Sequence, residues 1–460
     1  MMQNKAVVVG GGICGLMAAL LLKRNFKEVT LIEQSDEVGG LFRSVKDDLG
    51  AYYDMGSHIP NATGIEELDT LLFGAPNEQG NHWNVIKKLK SGNYFGGSWD
   101  LNSPFADSKK LDVATYQQGC SELIQSTTPS SQNHIMPYCQ EVLGETFTQH
   151  IIKPILEKLY GRHTDLSKLT MGAGLFGFTR ILAFDAEVAN ALKDLPVFDA
   201  KLGYQTEAHF IARQQKDASS TPDYYYPTSH CGIQAWVDYL KTKVEQAGVD
   251  IRCNCKISSL ETRARKVEKV FIEGEPQALE CDLLFWSAPP FIALNALGLP
   301  VVANRPELRT AIVFHLNLSK PLVDKQSHYL WVWDKYSDIF RLTLYPNLNP
   351  QSEFNTLSAE ILCRPEEVEN YQLDAIMHEL KEMQVVDPNA TCLSHVKQVI
   401  HNTFPVPTEA FEQNNEKNYS TLASSVDNII ISGRSGGKQW RQADVLVAAF
   451  NEINQYLGAG

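Results

Sequence analysis

Three glycines near the start of the chain have a spacing that suits phosphate binding. Gly10, Gly12 and Gly15 follow a β-branched run, residues 5–9, and precede an apolar stretch, residues 16–22. Glycine permits a tight turn at the first position, close approach of a pyrophosphate at the second, and close packing of helix on strand at the third. The free N–H groups and the dipole at the start of such a helix would bind phosphate oxygens.

An acidic residue stands where such a unit requires one. Glu33 follows a second predicted strand, residues 28–32, and lies about 20 residues beyond the glycines. At that distance a carboxylate accepts hydrogen bonds from the ribose hydroxyls of a dinucleotide. The glycine spacing alone would be a weak signal, but the strand, turn, helix, strand and acid together predict a Rossmann-type βαβ unit.

The residues after Glu33 favour FAD over NAD, which share the glycine pattern. Residues 38–44 have the sequence VGGLFRS. They resemble the Gly-Gly segment of the glutathione-reductase-like FAD family, especially its amine oxidase branch. The resemblance implies that Gly40 lets a second stretch of backbone approach FAD, and that Arg43 lies near the pyrophosphate or the flavin. A solvated surface arginine is the alternative for Arg43.

A histidine follows in a second family-like segment. Residues 53–60, YDMGSHIP, resemble the aspartate-x-glycine-x-histidine segment of UDP-galactopyranose mutases and their relatives, which runs beside the isoalloxazine ring. The resemblance implies that Ser57 and His58 lie near the flavin. A purely structural histidine is the alternative.

The end of the chain carries another strand and glycine turn. Residues 428–437, NIIISGRSGG, precede Trp440, Asp444 and a predicted helix, residues 445–457. This order resembles the C-terminal flavin segment of UDP-galactopyranose mutases, although the methionine of their aromatic-x-aspartate-methionine stretch is replaced and the spacing is altered. We predict that Arg434 reaches the flavin edge and stabilises negative charge there. The alternative is that Arg434 only ties the turn to a carboxylate.

The middle of the chain supplies a return to the cofactor. Residues 224–236 resemble the segment by which amine-oxidase-like chains re-enter the FAD domain. This resemblance implies that the backbone of Ile257 contacts the adenine. It also implies that residues 285–290 run beside the flavin. His58 and Arg434 are the catalytic candidates. The predicted cofactor-binding residues are Gly10, Gly12, Ile13, Cys14, Gly15, Glu33, Gln34, Gly40, Leu41, Arg43, Ser57, His58, Ile257, Ala288, Gly433, Arg434, Ala443, Asp444 and Val445.

The predicted architecture is α/β. A Rossmann-type, glutathione-reductase-like FAD-binding domain would be discontinuous, comprising residues 1–64, 205–295 and 404–460. Residues 65–204 are predicted to be mainly helical, with the polar stretch 121–131 as a loop. Residues 296–403 show alternating strands and one helix, which predicts an antiparallel β substrate domain.

Composition narrows the range of partners. The net charge of -13 disfavours nucleic acid, and we expect no membrane span, because the apolar stretch at the N-terminus is short and broken by glycines. Nine cysteines without a CxxC pair predict reduced thiols, a cytoplasmic protein and no metal site. A small-molecule substrate is expected, and nothing in the sequence indicates an oligomeric state.

Two functional classes remain open. The first is an FAD-dependent oxidoreductase acting on a small organic substrate, with a sugar or sugar nucleotide as one option. The second is a redox-neutral mutase resembling UDP-galactopyranose mutase, although the substrate-binding set of that family is not recognisable in the sequence. A non-enzymatic nucleotide sensor is a third hypothesis. Hydrolases are disfavoured, because there is no G-x-S-x-G elbow and no metal-ligand cluster.

Overall fold

A parallel sheet forms the centre of the nucleotide-binding part. The computed structural model describes residues 3–75, 82–126, 132–217, 220–302 and 306–458. The sheet has five strands, all parallel, in the order Ile429–Ile431, Leu283–Trp286, Gln3–Val9, Phe26–Ile32 and Asp250–Arg252. The α/β class and the Rossmann-type unit predicted from the sequence are confirmed.

Both faces of this sheet are covered, as the apolar runs of its strands require. Ala6 and Val8 pack into one buried cluster, whereas Val7 and Val9 pack into another, because alternate side chains of a strand point to opposite faces. The first face is covered by the helices Ile13–Lys23, Glu66–Phe73, Gln234–Gln246 and Gln442–Gly458. The second face is covered by the antiparallel strands Ile257–Arg263, Lys266–Ile272 and Leu279–Glu280 and the helices Pro290–Ala296 and Glu409–Ser425.

A larger, mostly antiparallel sheet forms the second part. Its seven strands lie in the order Cys392–Pro405, Leu308–Leu318, Thr356–Cys363, Ile339–Leu344, Tyr329–Val332, Ser91–Phe95 and Ser98–Asp100. One pair, Tyr329–Val332 with Ser91–Phe95, is parallel. The last two strands come from the stretch that the sequence assigned to the helical region. The helix Leu373–Glu382 packs on one face of this sheet. The short helix Tyr345–Leu348 packs in a separate buried cluster with Tyr53 and Tyr226.

The helical region packs on the other face of the large sheet, where Trp331, Trp333 and Phe340 meet it. Its α-helices are Val113–Gln125, Ile135–Leu143, Glu145–Phe147, Lys153–Tyr160, Ala186–Leu192, Pro196–Asp199 and Glu207–Lys216, and a π-helical turn spans Thr148–Ile152. Two small two-stranded sheets pair Ser44–Lys46 with Tyr52–Asp54 and Trp83–Ile86 with Tyr224–Pro227. Short 3-10 helices span Gly40–Phe42, Ser108–Lys110, Leu166–Lys168, Met171–Phe176 and Pro365–Asn370.

Two local predictions were wrong. Residues 121–125, predicted as part of a loop, complete a helix, because Leu123 is buried and the Glu122 carboxylate accepts hydrogen bonds from Thr146. Residues 127–131 of that predicted loop lie outside the described residues. The single strand predicted over 249–257 is two strands in different sheets, separated at Asn254, which has a φ of 56°. Within the described ranges, no helix combines the length and the apolar character needed to cross a bilayer.

Candidate cofactor and substrate site

A cavity of about 800 Å³ opens at the carboxyl ends of the parallel strands. Val9, Ile32 and Trp286, the last residues of three neighbouring strands, form part of its wall. Ligands of open α/β sheets bind at this edge. From there the cavity extends to the large sheet and the helical region, so all three parts of the molecule contribute to it.

The glycine turn leaves open space where a phosphate would bind. Gly12 precedes the helix Ile13–Lys23, and no side chain caps the first N–H groups of that helix. A Cβ built on Gly12 would meet no atom within 4 Å, so the space beside it belongs to the cavity. A Cβ on Gly15 would instead lie 1.8 Å from the carbonyl oxygen of Gly10. Gly12 therefore faces the cavity, whereas Gly15 serves the packing of helix on strand.

Glu33 stands at one end of the cavity in a fixed orientation. Its carboxylate accepts hydrogen bonds from the backbone N–H groups of Gly11, at 2.7 Å, and Ser35, at 2.8 Å. Gln34 and Ile257 line the same end, although Ile257 belongs to a different sheet. The cavity thus begins where an adenosine would bind in a Rossmann-type site.

The glycine pair Gly39 and Gly40 packs against the turn formed by Gly10 to Gly12. The backbone N–H of Gly39 donates to the carbonyl oxygen of Gly11 at 2.8 Å, and a Cβ on Gly40 would lie 3.4 Å from the Cα of Gly12. Gly40 and Leu41 line the cavity. Arg43 does not line it, because its guanidinium forms ion pairs with Asp36 and Glu37. Arg43 is half-buried, so its position matches neither a cavity-lining residue nor a solvated surface arginine.

At the inner end of the cavity lies a neutral histidine. Burial, together with the nearby charges of Arg341 and Arg434, lowers the pKa of His58 to about 3. The His58 ring packs 5.2 Å from Phe42, centroid to centroid. Its Nδ1 atom is buried and has no hydrogen-bond partner among the described residues. This buried nitrogen therefore has unfilled hydrogen-bonding capacity, in a residue that lines the cavity.

Arg434 meets His58 from the other end of the sequence. Its guanidinium lies 3.8 Å above the Trp440 ring, and burial together with Arg341 lowers its pKa to about 10. In the part of the chain that the structure describes, no carboxylate forms an ion pair with Arg434. The alternative in which Arg434 ties the turn to a carboxylate is therefore not what the structure has. The charge of Arg434 is left for the cavity.

A buried ion pair behind His58 was not predicted. Arg341 donates from Nε and Nη2 to the two carboxylate oxygens of Glu360, at 2.8 and 2.7 Å. Glu360 also accepts the backbone N–H of Ser57 at 3.2 Å, so it connects the large sheet to the histidine segment. The only sequence signal was a single charged residue within each of two otherwise uncharged strands.

Aromatic side chains enclose the same end. Phe176 of the helical region lies 5.9 Å from Trp331 and 5.8 Å from Phe404 of the large sheet, centroid to centroid. All three line the cavity, as does Trp440. These rings leave a slot that is apolar on its walls and positively charged where Arg341 and Arg434 reach it.

The cavity brings together most of the residues predicted from the sequence. Its lining includes Gly10, Gly12, Ile13, Cys14, Glu33, Gln34, Gly40, Leu41, Ser57, His58, Ile257, Ala288, Gly433, Arg434 and Val445. Gly15, Arg43, Ala443 and Asp444 do not line it. Asp444 is exposed, and Gln442 at the first turn of the same helix lines the cavity instead.

Comparison with known proteins agrees with this arrangement. Residues 8–72 match the family described as NAD(P)-binding Rossmann-like domain. A crystal structure of reduced UDP-galactopyranose mutase superposes with a TM-score of 0.73 at 17% identity, covering 100% of this chain and 96% of that one. An oxidoreductase from Methanosarcina mazei superposes with a TM-score of 0.60 at 15% identity, covering 98% and 100%.

Sequence relatives are found among desaturases. The 1-hydroxycarotenoid 3,4-desaturase of Flavobacterium sp. (strain P99-3) is 30% identical over 176 residues, which is 37% of this chain and 32% of the relative. A 4,4'-diapophytoene desaturase of Staphylococcus haemolyticus is 28% identical over 135 residues, 29% and 25% of the two chains. The matches thus span a third or less of these relatives. The matched domain, the shared fold and the desaturase similarity agree with the resemblance of the sequence to the FAD-dependent amine-oxidase-like superfamily.

Proposed function

We propose that the cavity binds FAD. The open space beside Gly12, the uncapped helix start and the close approach of Gly40 fit a pyrophosphate, and Glu33 fits the adenosine ribose. A volume of about 800 Å³ is in the range of cavities that hold ligands of this size. When bound, FAD supplies a ring that can accept a hydride.

We further propose that the protein is an FAD-dependent oxidoreductase whose small organic substrate carries an acidic group. The observation that carries this proposal is the charge at the inner end of the cavity. Arg341 and Arg434 both reach it, and Glu360 neutralises only Arg341. A protonated amine would be repelled there, whereas a carboxylate or phosphate would be attracted. The aromatic walls suit a substrate with an apolar or ring-shaped body.

The residues of the chain would orient the substrate and keep water out. Phe176, Trp331 and Phe404 exclude water and thereby strengthen the interactions of the guanidiniums in the slot. Arg434 would stabilise negative charge that develops during the reaction. His58 is neutral, so its Nδ1 can accept a hydrogen bond or donate one, depending on the tautomer.

A second candidate is a redox-neutral mutase that acts on a sugar nucleotide. The observation in its favour is that the UDP-galactopyranose mutase structure matches the whole chain, so the fold of the substrate side is shared as well as that of the nucleotide side. Two arginines at the inner end also suit a diphosphate, because guanidinium groups bind phosphate oxygens in pairs.

One experiment tests both candidates. The dinucleotide released from the purified, reconstituted protein is identified by mass spectrometry, and the oxidised protein is then mixed anaerobically with hydroxy acids, sugar nucleotides and amines. Bleaching of the flavin by an acidic compound supports the oxidoreductase. Turnover of a sugar nucleotide only after prior chemical reduction supports the mutase. Release of NAD, or bleaching by amines alone, would contradict the proposal.

A further inference from the structure

A second cavity, of about 570 Å³, lies between the helical region and the large sheet. It is lined by the helix Lys153–Tyr160 and the turn after it, by the start of the strand Leu308–Leu318, and by residues 335–338. Over the described ranges it shares no lining residue with the first cavity. Its volume is in the range of small-molecule sites, and its wall is mainly polar.

Cations outnumber carboxylates in this wall. Its lysines and arginines are Lys153, Lys158, Arg162, Arg309, Lys335 and Arg364, and its carboxylates are Glu157, Glu307, Asp338 and Glu367. Burial lowers the pKa of Lys158 to about 7, and the other five basic residues still outnumber the four carboxylates. Glu367 is already bound by Arg364, at 2.8 Å. A surplus of positive charge here is notable because the whole chain has a net charge of -13. The local field therefore favours an anion.

Arg309 is the buried cation of this cavity. Its side chain is almost wholly buried, at 4% exposure, and Nη2 donates to the carbonyl oxygen of Leu362 at 2.9 Å. Its Nε has no hydrogen-bond partner among the described residues, and no carboxylate there lies within ion-pair distance of it. The Arg309 guanidinium occupies the space that a side chain at Gly161 would need, because a Cβ there would lie 2.9 Å from Nη1. A buried guanidinium with an unfilled donor is costly unless a ligand satisfies it.

We propose that this second cavity binds a small hydrophilic organic anion, whose phosphate or carboxylate group lies against Arg309. Lys153, Arg162 and Lys335 at the mouth would attract the anion. The cavity is much larger than a single oxyanion requires, so the ligand carries a polar organic body. This site is independent of the proposed flavin chemistry, because its residues are separate from those of the first cavity.

The helix that lines the second cavity also holds the strands of the first. Lys158 donates from Nζ to the carbonyl oxygens of Val332, at 2.8 Å, and Ile339, at 3.0 Å. Residues 331 and 341, close along the same strands, line the first cavity. A ligand held against this helix would therefore stabilise the sheet that supports the inner end of the first cavity.

The test is calorimetric titration of the FAD-loaded protein with ribose 5-phosphate, gluconate and inorganic phosphate. Loading with FAD fills the phosphate cradle of the first cavity, and variants of the second cavity then separate binding there from binding at the inner end of the first. We expect saturable binding of at least one organic anion, tighter than that of inorganic phosphate. Preference for the phosphate ester or for the carboxylate identifies the acidic group.

Variants then assign the binding to the second cavity. Arg309→Lys keeps the charge but loses the planar donor set, and we expect affinity to fall about tenfold or more. Arg162→Gln and Lys335→Gln change exposed residues at the mouth, and each should weaken binding about threefold in a salt-dependent way without affecting folding. Lys417→Gln, an exposed lysine that lines neither cavity, is the matched control. No saturable binding by the loaded protein, or equal affinity in the wild type and both mouth variants, would overturn the proposal.

Discussion

The two ends of the main cavity are built in different ways. The end that fits the adenosine and pyrophosphate comes mainly from one continuous stretch, residues 9–42, with Ile257 added from another sheet. The inner end is assembled from residues far apart in the sequence, among them His58, Arg341 and Arg434. The first end is held by backbone hydrogen bonds and glycine contacts, whereas the second is held by side chains, charge and aromatic packing. If the cavity binds FAD as proposed, the difference separates a general cofactor cradle from the part that would determine the substrate.

The largest expected effect lies in the cradle. Gly12→Val should abolish FAD binding and leave the thermal unfolding temperature of the apoprotein nearly unchanged, because its Cβ meets no protein atom within 4 Å but enters the ligand space. Gly15→Val is the contrasting variant. Its Cβ would lie 1.8 Å from the Gly10 carbonyl oxygen, so folding should fail together with binding. FAD content and the thermal unfolding temperature are measured for both variants. Normal FAD content in Gly12→Val would show that this turn does not bind the pyrophosphate.

The cradle could be predicted from the sequence because its parts are local. A strand, a glycine turn, a helix and an acid within about 30 residues define the unit without knowledge of the remaining chain. Helix geometry explains why Asp444, predicted to bind the cofactor, does not line the cavity. The last helix begins at Gln442, and Asp444 lies two residues later, about 200° around the axis, so it points to solvent when Gln442 faces the cavity.

The second prediction concerns the inner end of the cavity, which side chains and charge hold together. Glu360→Ala should lower the free energy of unfolding by about 3 kcal/mol, because it leaves the Arg341 guanidinium without its partner and removes the acceptor of the Ser57 N–H. The double variant Arg341→Met with Glu360→Leu should recover most of this stability, since apolar pairs often replace buried ion pairs at little cost. Urea unfolding measures both. A loss below about 1 kcal/mol in Glu360→Ala would mean that the pair is not a structural link.

This pair could not have been predicted, because it depends on strand register. Arg341 and Glu360 are direct cross-strand neighbours of an antiparallel pair that contains a register shift. A displacement by one residue would turn one of the two side chains to the opposite face of the sheet. The sequence shows a charge in each strand but not which residues pair. The same holds for the aromatic walls, since Phe176 and Trp331 meet only when the helical region packs on the sheet.

A smaller effect is expected from the acid of the cradle. Glu33→Ala should weaken FAD binding by about 1–3 kcal/mol, the range for losing a partner of a buried hydrogen-bonding group. Glu33→Gln keeps an oxygen that can accept one of the two backbone N–H groups now bound by the carboxylate, so its loss should be smaller. Equilibrium titration of the apoprotein with FAD measures both. Wild-type affinity in Glu33→Ala would show that Glu33 does not contact the ribose.

The smallest effect concerns the two residues that meet at the inner end, one charged and one neutral. Arg434 carries a positive charge without a carboxylate partner in the described chain, so it should favour reduction of a bound flavin, which adds negative charge to the ring. Arg434→Met should lower the two-electron potential of bound FAD by about 30 mV, equivalent to about 1.4 kcal/mol.

His58 has a pKa of about 3, held down by burial and by Arg341 and Arg434, so it is uncharged between pH 6 and 8. His58→Ala should therefore leave both the potential and its slope against pH in that range nearly unchanged, while weakening any substrate that bonds to Nδ1. Spectroelectrochemical titration of the two variants at several pH values measures these quantities. An unchanged potential in Arg434→Met, or a changed slope in His58→Ala, would mean that the charge at this end does not act on the flavin in the way the geometry indicates.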